Sequence, residues 1–559
     1  MLSENDRWVK TNTRRADESS LSSHGRASWP LAIGISQHLF HLRAIYGTQR
    51  RFKMPCTSSA ERGVDYGAEW RCPLDTQPQL TYASSPNASA DATATRFDGT
   101  HRAPPFFTHS LYAILGGQAA SGLLALVTEV AYARLLGPAA RGGISLCMMS
   151  IAFGNLVGGL GGEGTIVYWA SRSKNAQSSW LVAVAAWGVL GCLGTTILWN
   201  LAFWHFRITV LRGVSDASAR VVMVSISAAV LFSYAMALAS GTEQFRLRSL
   251  CASLRQLVSI VSFLILLLAF GRSVEIALWG NFAGLILGSL LALVLLGGRI
   301  RRFWGFTDAA QDLRPTVVYG VRGQLGNLAS FFNYRLDVFV VNYFLDPLQL
   351  GFYALGVVIS EALWQVPAAV ASALFPRTAR TVEEDATQFT CFLLRQVLLT
   401  TTLGGVAIAV LSPIAVPLIF GSRFSPSVAV IWWILPGTIA LSLAKVACAD
   451  LAGRGKNGYS SVAAFVSFAA TAALDWFLIP RMGILGAALA SSLAYSLDAL
   501  LVLLALRYEL GVGWKTLFIP TKNDLHAYKQ ALLRTRAFGR SLSSGGARSR
   551  DALAAEEVD

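Results

Sequence analysis

Twelve charged side chains fall within, or at the edge of, long apolar runs: Glu129, Glu163, Arg255, Arg322, Arg335, Asp337, Glu361, Arg395, Lys445, Asp450, Asp475 and Asp498. A charge at the centre of a bilayer costs roughly 2.5–3.5 kcal/mol on insertion scales, so lipid-facing ones are selected against. Those near the end of a run reach the interface cheaply, and Glu129, Asp450 and Asp475 read this way. Arg255 and Arg395 have stems long enough to snorkel. Arg335, Asp337, Glu361 and Asp498 lie deeper and need a partner, a wet cavity or a function.

The stretch "NYRLDVFVVNYFL", Asn333 to Leu345, is the most informative. At about 100° per residue, Arg335 shares a helix face with Gln324, Phe331 and Asn342. Asp337 falls on the other side with Gly326, Ser330 and Asn333. Spaced i,i+2, the two charges do not face each other, so each needs a partner elsewhere. "SEALWQVP" supplies one in Glu361, with Gln365 on its face and Pro367 set to kink the chain just beyond. Two readings stay open: Arg335 and Glu361 brace the bundle, or Arg335 faces a cavity that attracts an anion. Arg335, Gln324, Asn342 and Arg322 are the cavity candidates. Asp337, Glu361, Asp498 and Glu129 are the structural or coupling charges.

The elements that position these charges are read from hydropathy. The chain is 53% hydrophobic and 14% charged, against about 25% charged in soluble domains, and its mean hydropathy is +0.48. Apolar runs of bilayer length recur, and a soluble protein would show amphipathic stripes instead. The expected fold is an all-α integral membrane protein of about twelve spans, near 110–133, 143–168, 180–203, 219–240, 250–270, 275–297, 316–345, 350–375, 390–419, 425–448, 459–479 and 484–507. Even-numbered connectors hold more Lys and Arg (Arg246, Arg248, Arg301, Arg454 among them) than odd-numbered ones (Arg141, Arg207, Arg272, Arg423 among them), which predicts cytoplasmic termini in a plasma membrane. The +15 formal charge fits such loops and tails, and no nucleic-acid module accompanies it. The seven scattered cysteines form no C-x-x-C, and His205 has no ligand partner nearby, so neither a metal nor another cofactor is expected.

Residues 1–104 are rich in Ser, Ala, Thr and Arg and read as a disordered tail in which Met54 offers an alternative start. Two six-helix halves follow, 105–300 and 316–507, joined by a basic linker at 301–315. Residues 508–559 form a basic tail, with a candidate surface helix from Asp524 through Leu532. "LGPAARGGISL" (136–146) and "LDPLQLGFYAL" (345–355) both fit L-x-P-x-x-x-G-x-x-x-L at the first hairpin of each half. Six spans per half make the repeat parallel, an architecture of secondary transporters with the substrate between halves. "GGLGGEG", "GQLGN" and "GILGAALASS" allow close helix approach, and could also be bending points.

The stretches "ARLLGPAARGGISL", "FFNYRLDVFVVNYFLDPLQLGFYALGVVISEALWQVPAAVASALFPRTAR" and "AGRGKNGYSSVAAFVSFAATAALDWFLIPRMGILGAALASSLAYSLDALL" resemble the polysaccharide-transporter, or Wzx-type flippase, family. That family belongs to a superfamily with the MATE exporters and the lipid II flippases. The resemblance spans roughly 105–507. Arg335 and Asp337 match the family's R-L-D stretch, and Pro376 and Arg377 its F-P-R end. It implies flipping of a polyprenyl-diphosphate-linked oligosaccharide by alternating access around a cationic cavity, with no enzymatic step. Lipid-linked oligosaccharide and membrane lipids are then the partners, with a polysaccharide polymerase and export machinery as candidates. Rival readings are a MATE-like drug or cation exporter, a lipid II flippase and a membrane glycosyltransferase or O-antigen ligase. The last would need a large catalytic outer loop, and the longest one here, "WHFRITVLRGVSDASA", has no acid pair.

Overall fold

The structure is a computed structural model that describes residues 105–172, 180–303, 309–378 and 383–519. The N-terminal tail, most of the C-terminal tail and the helix expected after Asp524 lie outside the described residues. Within them every regular element is a helix: α1 (Pro105–Leu136), α2 (Pro138–Gly159), α3 (Gly162–Arg172), α4 (Trp180–Phe206), α5 (Asp216–Gly241), α6 (Phe245–Phe270), α7 (Val274–Phe303), α8 (Ala309–Phe344), α9 (Pro347–Glu361), α10 (Gln365–Thr378), α11 (Glu383–Phe420), α12 (Ser427–Gly453), α13 (Asn457–Met482), α14 (Ile484–Leu510) and α15 (Trp514–Phe518). Among the described residues, ten segments are long and apolar enough to cross a membrane. Of the other two expected spans, 110–133 lies inside α1 and 316–345 ends one residue beyond α8. Large apolar side chains are turned outward all around the bundle, such as Leu268, Val294 and Ile414, as a lipid-facing surface requires.

Local chemistry sets the boundaries. Pro138 and Pro347 open α2 and α9 at the first helical position, where the missing N–H costs nothing. Asp346 caps α9 by accepting from Gln349 N at 2.8 Å. Two expected spans are broken. The 143–168 span divides at Leu160 and Gly161, both at positive φ, so the "GGLGGEG" cluster is a break as well as a packing site. A Cβ on Gly161 would overlap the Gly320 carbonyl of α8, and only glycine permits that approach. The 350–375 span passes through a 3₁₀ turn, Ala362–Trp364, between α9 and α10. It lies one turn before Pro367, whose ring would clash with a continuous helix. α7 extends into the expected linker 301–315 as far as Phe303, and α8 begins within it at Ala309.

The repeat at the two hairpins is structural. A Cβ on Gly142 would overlap the Pro347 carbonyl, and one on Gly351 would overlap the Pro138 carbonyl. Each repeat's glycine receives the other repeat's proline backbone, the reciprocity of an isologous contact. α2 and α9 therefore cross in direct backbone contact at the hairpin end of the molecule. α8 lies between the halves, packing on α2, α3 and α4 from the first and on α9, α13 and α14 from the second. The largest core fills the second half around Leu350, Tyr353, Val430, Ile434, Ala487 and Tyr495.

Candidate functional site

α8 presents its two charges to two environments. Arg335 faces a cavity of about 230 Å³ between the halves, together with Glu129 of α1, Arg141 of α2, Arg255 of α6 and Asn281 of α7. Its guanidinium makes a bidentate pair with Glu361 of α9, at 2.8 and 2.7 Å, the geometry a planar donor fork favours. Arg141, 3% exposed, pairs with Glu129 at 2.6 Å. Arg255 has neutral contacts: Asn281 Oδ1 and Gln256 Oε1, each at 3.4 Å, and the Phe232 ring. Three arginines and one carboxylate, Glu129, thus line the cavity, and Glu361 reaches it only through its pair with Arg335. The surplus is positive, and arginine's donor fork suits phosphate oxygens.

Asp337 points the other way, into the second half. Its Oδ1 accepts from Val338 N at 2.7 Å, and its Oδ2 accepts from the Tyr353 hydroxyl and from Ser491. Asn333, on the same face, accepts from Thr471 at 2.9 Å. One turn beyond Thr471 on α13 stands Asp475, fully buried, as Asp337 stands one turn beyond Asn333, the partner of Thr471, on α8. Neither Asp475 oxygen has a hydrogen-bond partner, and the Tyr495 hydroxyl and Asn333 Nδ2 also lack one. Unneutralised buried carboxylates are costly. Two carboxylates with hydroxyl and amide oxygens can hold a proton or a hard, oxygen-seeking cation. No cluster of three or more His, Cys, Asp or Glu side chains occurs among the described residues.

The other expected residues divide. Glu129 and Arg335 line the cavity, and Glu361 is paired with Arg335 beside it. Gln324 lies apart from it, in a second, polar cavity of about 850 Å³ with Asn155, Glu163 and Ser330, where its amide donates to the Leu156 carbonyl. Asn342 lines neither. It is fully buried and donates to the Val210 and Arg212 carbonyls at 2.8 and 3.0 Å, so it braces α8 against the α4–α5 connector. The side chains of Arg322, Pro376 and Arg377 lie outside the described residues. Asp498 is buried in α14, and Lys445 of α12 sits over the Trp364 ring at 4.3 Å.

Sequence reasoning missed several groups. Arg255 does not snorkel, and Arg141 is not a connector charge. Asp450, near the end of α12, is fully buried and holds Thr378, Thr390 and Arg454 at 3.1, 2.7 and 2.7 Å. Arg395 is buried and donates to the Thr516 carbonyl at 2.6 Å.

A family model described as polysaccharide biosynthesis protein matches residues 131–429, a stretch that includes Arg141, Arg255, Arg335 and Glu361. The chain belongs to the polysaccharide biosynthesis protein family. No curated protein matches it by sequence. Among solved structures, this family member is similar to the lipid II flippase MurJ in an inward closed conformation, with a TM-score of 0.59 at 15% identity over 70% of this chain and 87% of that one. It is also similar to a MATE-family multidrug resistance transporter in an inward-facing conformation (TM-score 0.55, 13% identity, 70% and 94% covered). The eukaryotic MATE transporter AtDTX14 follows with a TM-score of 0.52 at 13% identity, 73% and 97% covered. At such identities the likeness establishes the fold, that of multi-pass membrane transporters, and the resemblance drawn from the sequence holds at that level.

Proposed function

We propose that this protein flips a polyprenyl-diphosphate-linked oligosaccharide across the cytoplasmic membrane for polysaccharide biosynthesis, by alternating access between its two halves. The observation that supports this most is the arginine surplus of the cavity between the halves: Arg141, Arg255 and Arg335 line it against Glu129 alone, with Glu361 paired to Arg335 at its side. A diphosphate is the anion such a site recognises, and desolvation strengthens the attraction. With both termini cytoplasmic, the crossing of Gly142 and Gly351 closes the outer side, and the polar cavity lies toward the inner one. The Asp337–Asp475 pair is the coupling site on this reading, since a proton or cation there would change the charge buried in the second half.

Reconstituted protein tests the reading directly. Vesicles containing it should expose a fluorescent polyprenyl-diphosphate oligosaccharide to an outer quencher, and a deletion strain should accumulate one lipid-linked sugar on the inner leaflet. Absence of both would remove the flippase assignment. A MATE-like cation exporter is the second reading, favoured by the buried carboxylates, and it requires that the deletion strain become drug-sensitive instead.

A further inference from the structure

α2 and α8 border a third cavity, of about 520 Å³, lined also by α4 and α13. Phe153, Leu198, Phe332, Phe339, Tyr343 and Trp476 set its character. The polar groups in its wall are turned inward and spent: Ser150 Oγ donates to the Leu146 carbonyl at 2.9 Å, Thr195 Oγ1 to the Gly191 carbonyl at 2.7 Å, and Trp199 Nε1 to the Ala219 carbonyl at 3.1 Å. The Tyr343 hydroxyl and the Trp476 indole N–H belong to residues exposed at the mouth, and Ser150, Thr195 and Trp199 leave no free group deeper in to anchor water, which needs two or more polar partners. The cavity is several times the roughly 150 Å³ at which an apolar hole already takes up a small hydrocarbon. Its mouth is open, for Leu198, Phe206, Tyr343 and Trp476 are 40–59% exposed.

This apolar cavity adjoins the polar one along the same seam. On α2 the polar wall includes Asn155 and the apolar wall Phe153 and Val157; on α8 Ser330 faces the polar cavity and Phe332 the apolar one. Phe153 packs against Phe331 and Phe332 at 5.7 and 5.4 Å between ring centres, and so divides the two. A polar chamber followed by an apolar one matches a molecule with a polar head and a hydrocarbon chain. An ordinary bilayer lipid, whose head stays at the membrane surface, would leave the polar chamber unfilled.

We infer that the apolar cavity is a tail subsite, holding the isoprenoid chain of the carried lipid while the sugar of its head group loads into the polar cavity. The inference rests on the flippase reading, and it replaces a tail left free in the bilayer with one gripped between the halves. Because α2 and α4 belong to one half and α8 and α13 to the other, a chain lodged there touches both bodies that must move.

The test uses the full-length protein in vesicles with two photoreactive probes, a diazirine-bearing polyprenyl diphosphate and a diazirine-bearing phosphatidylglycerol. Adducts of the first should map to Leu198, Phe339 or Trp476 and be competed by unlabelled polyprenyl diphosphate but not by phosphatidylglycerol. Equal labelling by both probes, or labelling that neither competitor suppresses, overturns the subsite and makes the cavity a bulk-lipid surface. In a second measurement, Leu336→Trp fills the cavity. Flipping of the long-chain substrate should fall at least about tenfold, as for lost contact with roughly two methylene groups, while a farnesyl-diphosphate analogue is flipped as before. Equal loss for both chain lengths, or loss for neither, also overturns it. If wild-type protein flips neither substrate, the flippase reading has failed, and the labelling pattern still decides the tail subsite.

Discussion

The two charged regions that α8 connects are built on opposite principles. Between the halves, cations outnumber anions, two of three arginines are held in ion pairs, and the groups line a cavity. Inside the second half, Asp337 and Asp475 stand without a cation in contact, and Asp475 has no hydrogen bond at all. The first arrangement is stable as it stands and can exchange an internal carboxylate for an external anion. The second is poised to take up positive charge. A helix two residues out of phase serves both, which is why Arg335 and Asp337 cannot form a pair with each other.

The sharpest way to break this contrast is at Arg335. Arg335→Ala should abolish flipping and leave Glu361 uncompensated, at a cost approaching 3 kcal/mol for a buried pair and less because the guanidinium side is 26% exposed. Arg335→Ala with Glu361→Ala should recover the melting temperature in detergent while flipping stays absent. Recovery of both in the double variant would make the pair a brace and nothing more.

Asp475→Asn should act in the opposite sense on stability. Removing a buried, unpartnered charge is expected to leave the melting temperature unchanged or to raise it, by about 1–4 kcal/mol of stability where neutralisation is complete. Flipping driven by an imposed ion gradient should vanish, while downhill equilibration of substrate persists. A variant that unfolds would show that the carboxylate is a needed structural charge.

A third substitution separates both regions from their scaffold. Asn342→Ala orphans the Val210 and Arg212 carbonyls and should cost about 1–3 kcal/mol in thermal stability, with the flipping rate per folded molecule preserved. A selective loss of flipping would return Asn342 to the substrate path.

How far all this was legible follows from where each residue stands in the sequence. Helical periodicity assigned Arg335 and Asp337 to opposite faces, and Asn333 to the side of Asp337, because one helix contains the whole relation. Hydropathy located the spans for the same reason. Glu361 could be named as a partner since it was the one deep carboxylate in the next span. Arg141 and Asp475 were not legible: each stands beside a proline or a helix end, where a charge reads as interfacial, and only tertiary folding buries them. The reciprocal Gly142 and Gly351 contact was half legible, as a repeated motif whose two copies could not be known to meet.

Arg255 brings the smallest expected effect, and it bears on the arginine surplus most directly. Its contacts are neutral amides and a ring, so Arg255→Gln breaks no ion pair and should leave the melting temperature within experimental scatter. If the cavity recognises a diphosphate, the loss of one charge-assisted contact, about 1.5 kcal/mol, should raise the substrate concentration for half-maximal flipping roughly tenfold. Arg255→Lys should recover part of that loss, since it restores the charge without the fork. Elevated salt should weaken the wild type more than the Gln variant if the contact is electrostatic. An unchanged half-maximal concentration in Arg255→Gln would leave the cavity with two arginines, both neutralised, and would move the anion site elsewhere along the α2–α8 seam.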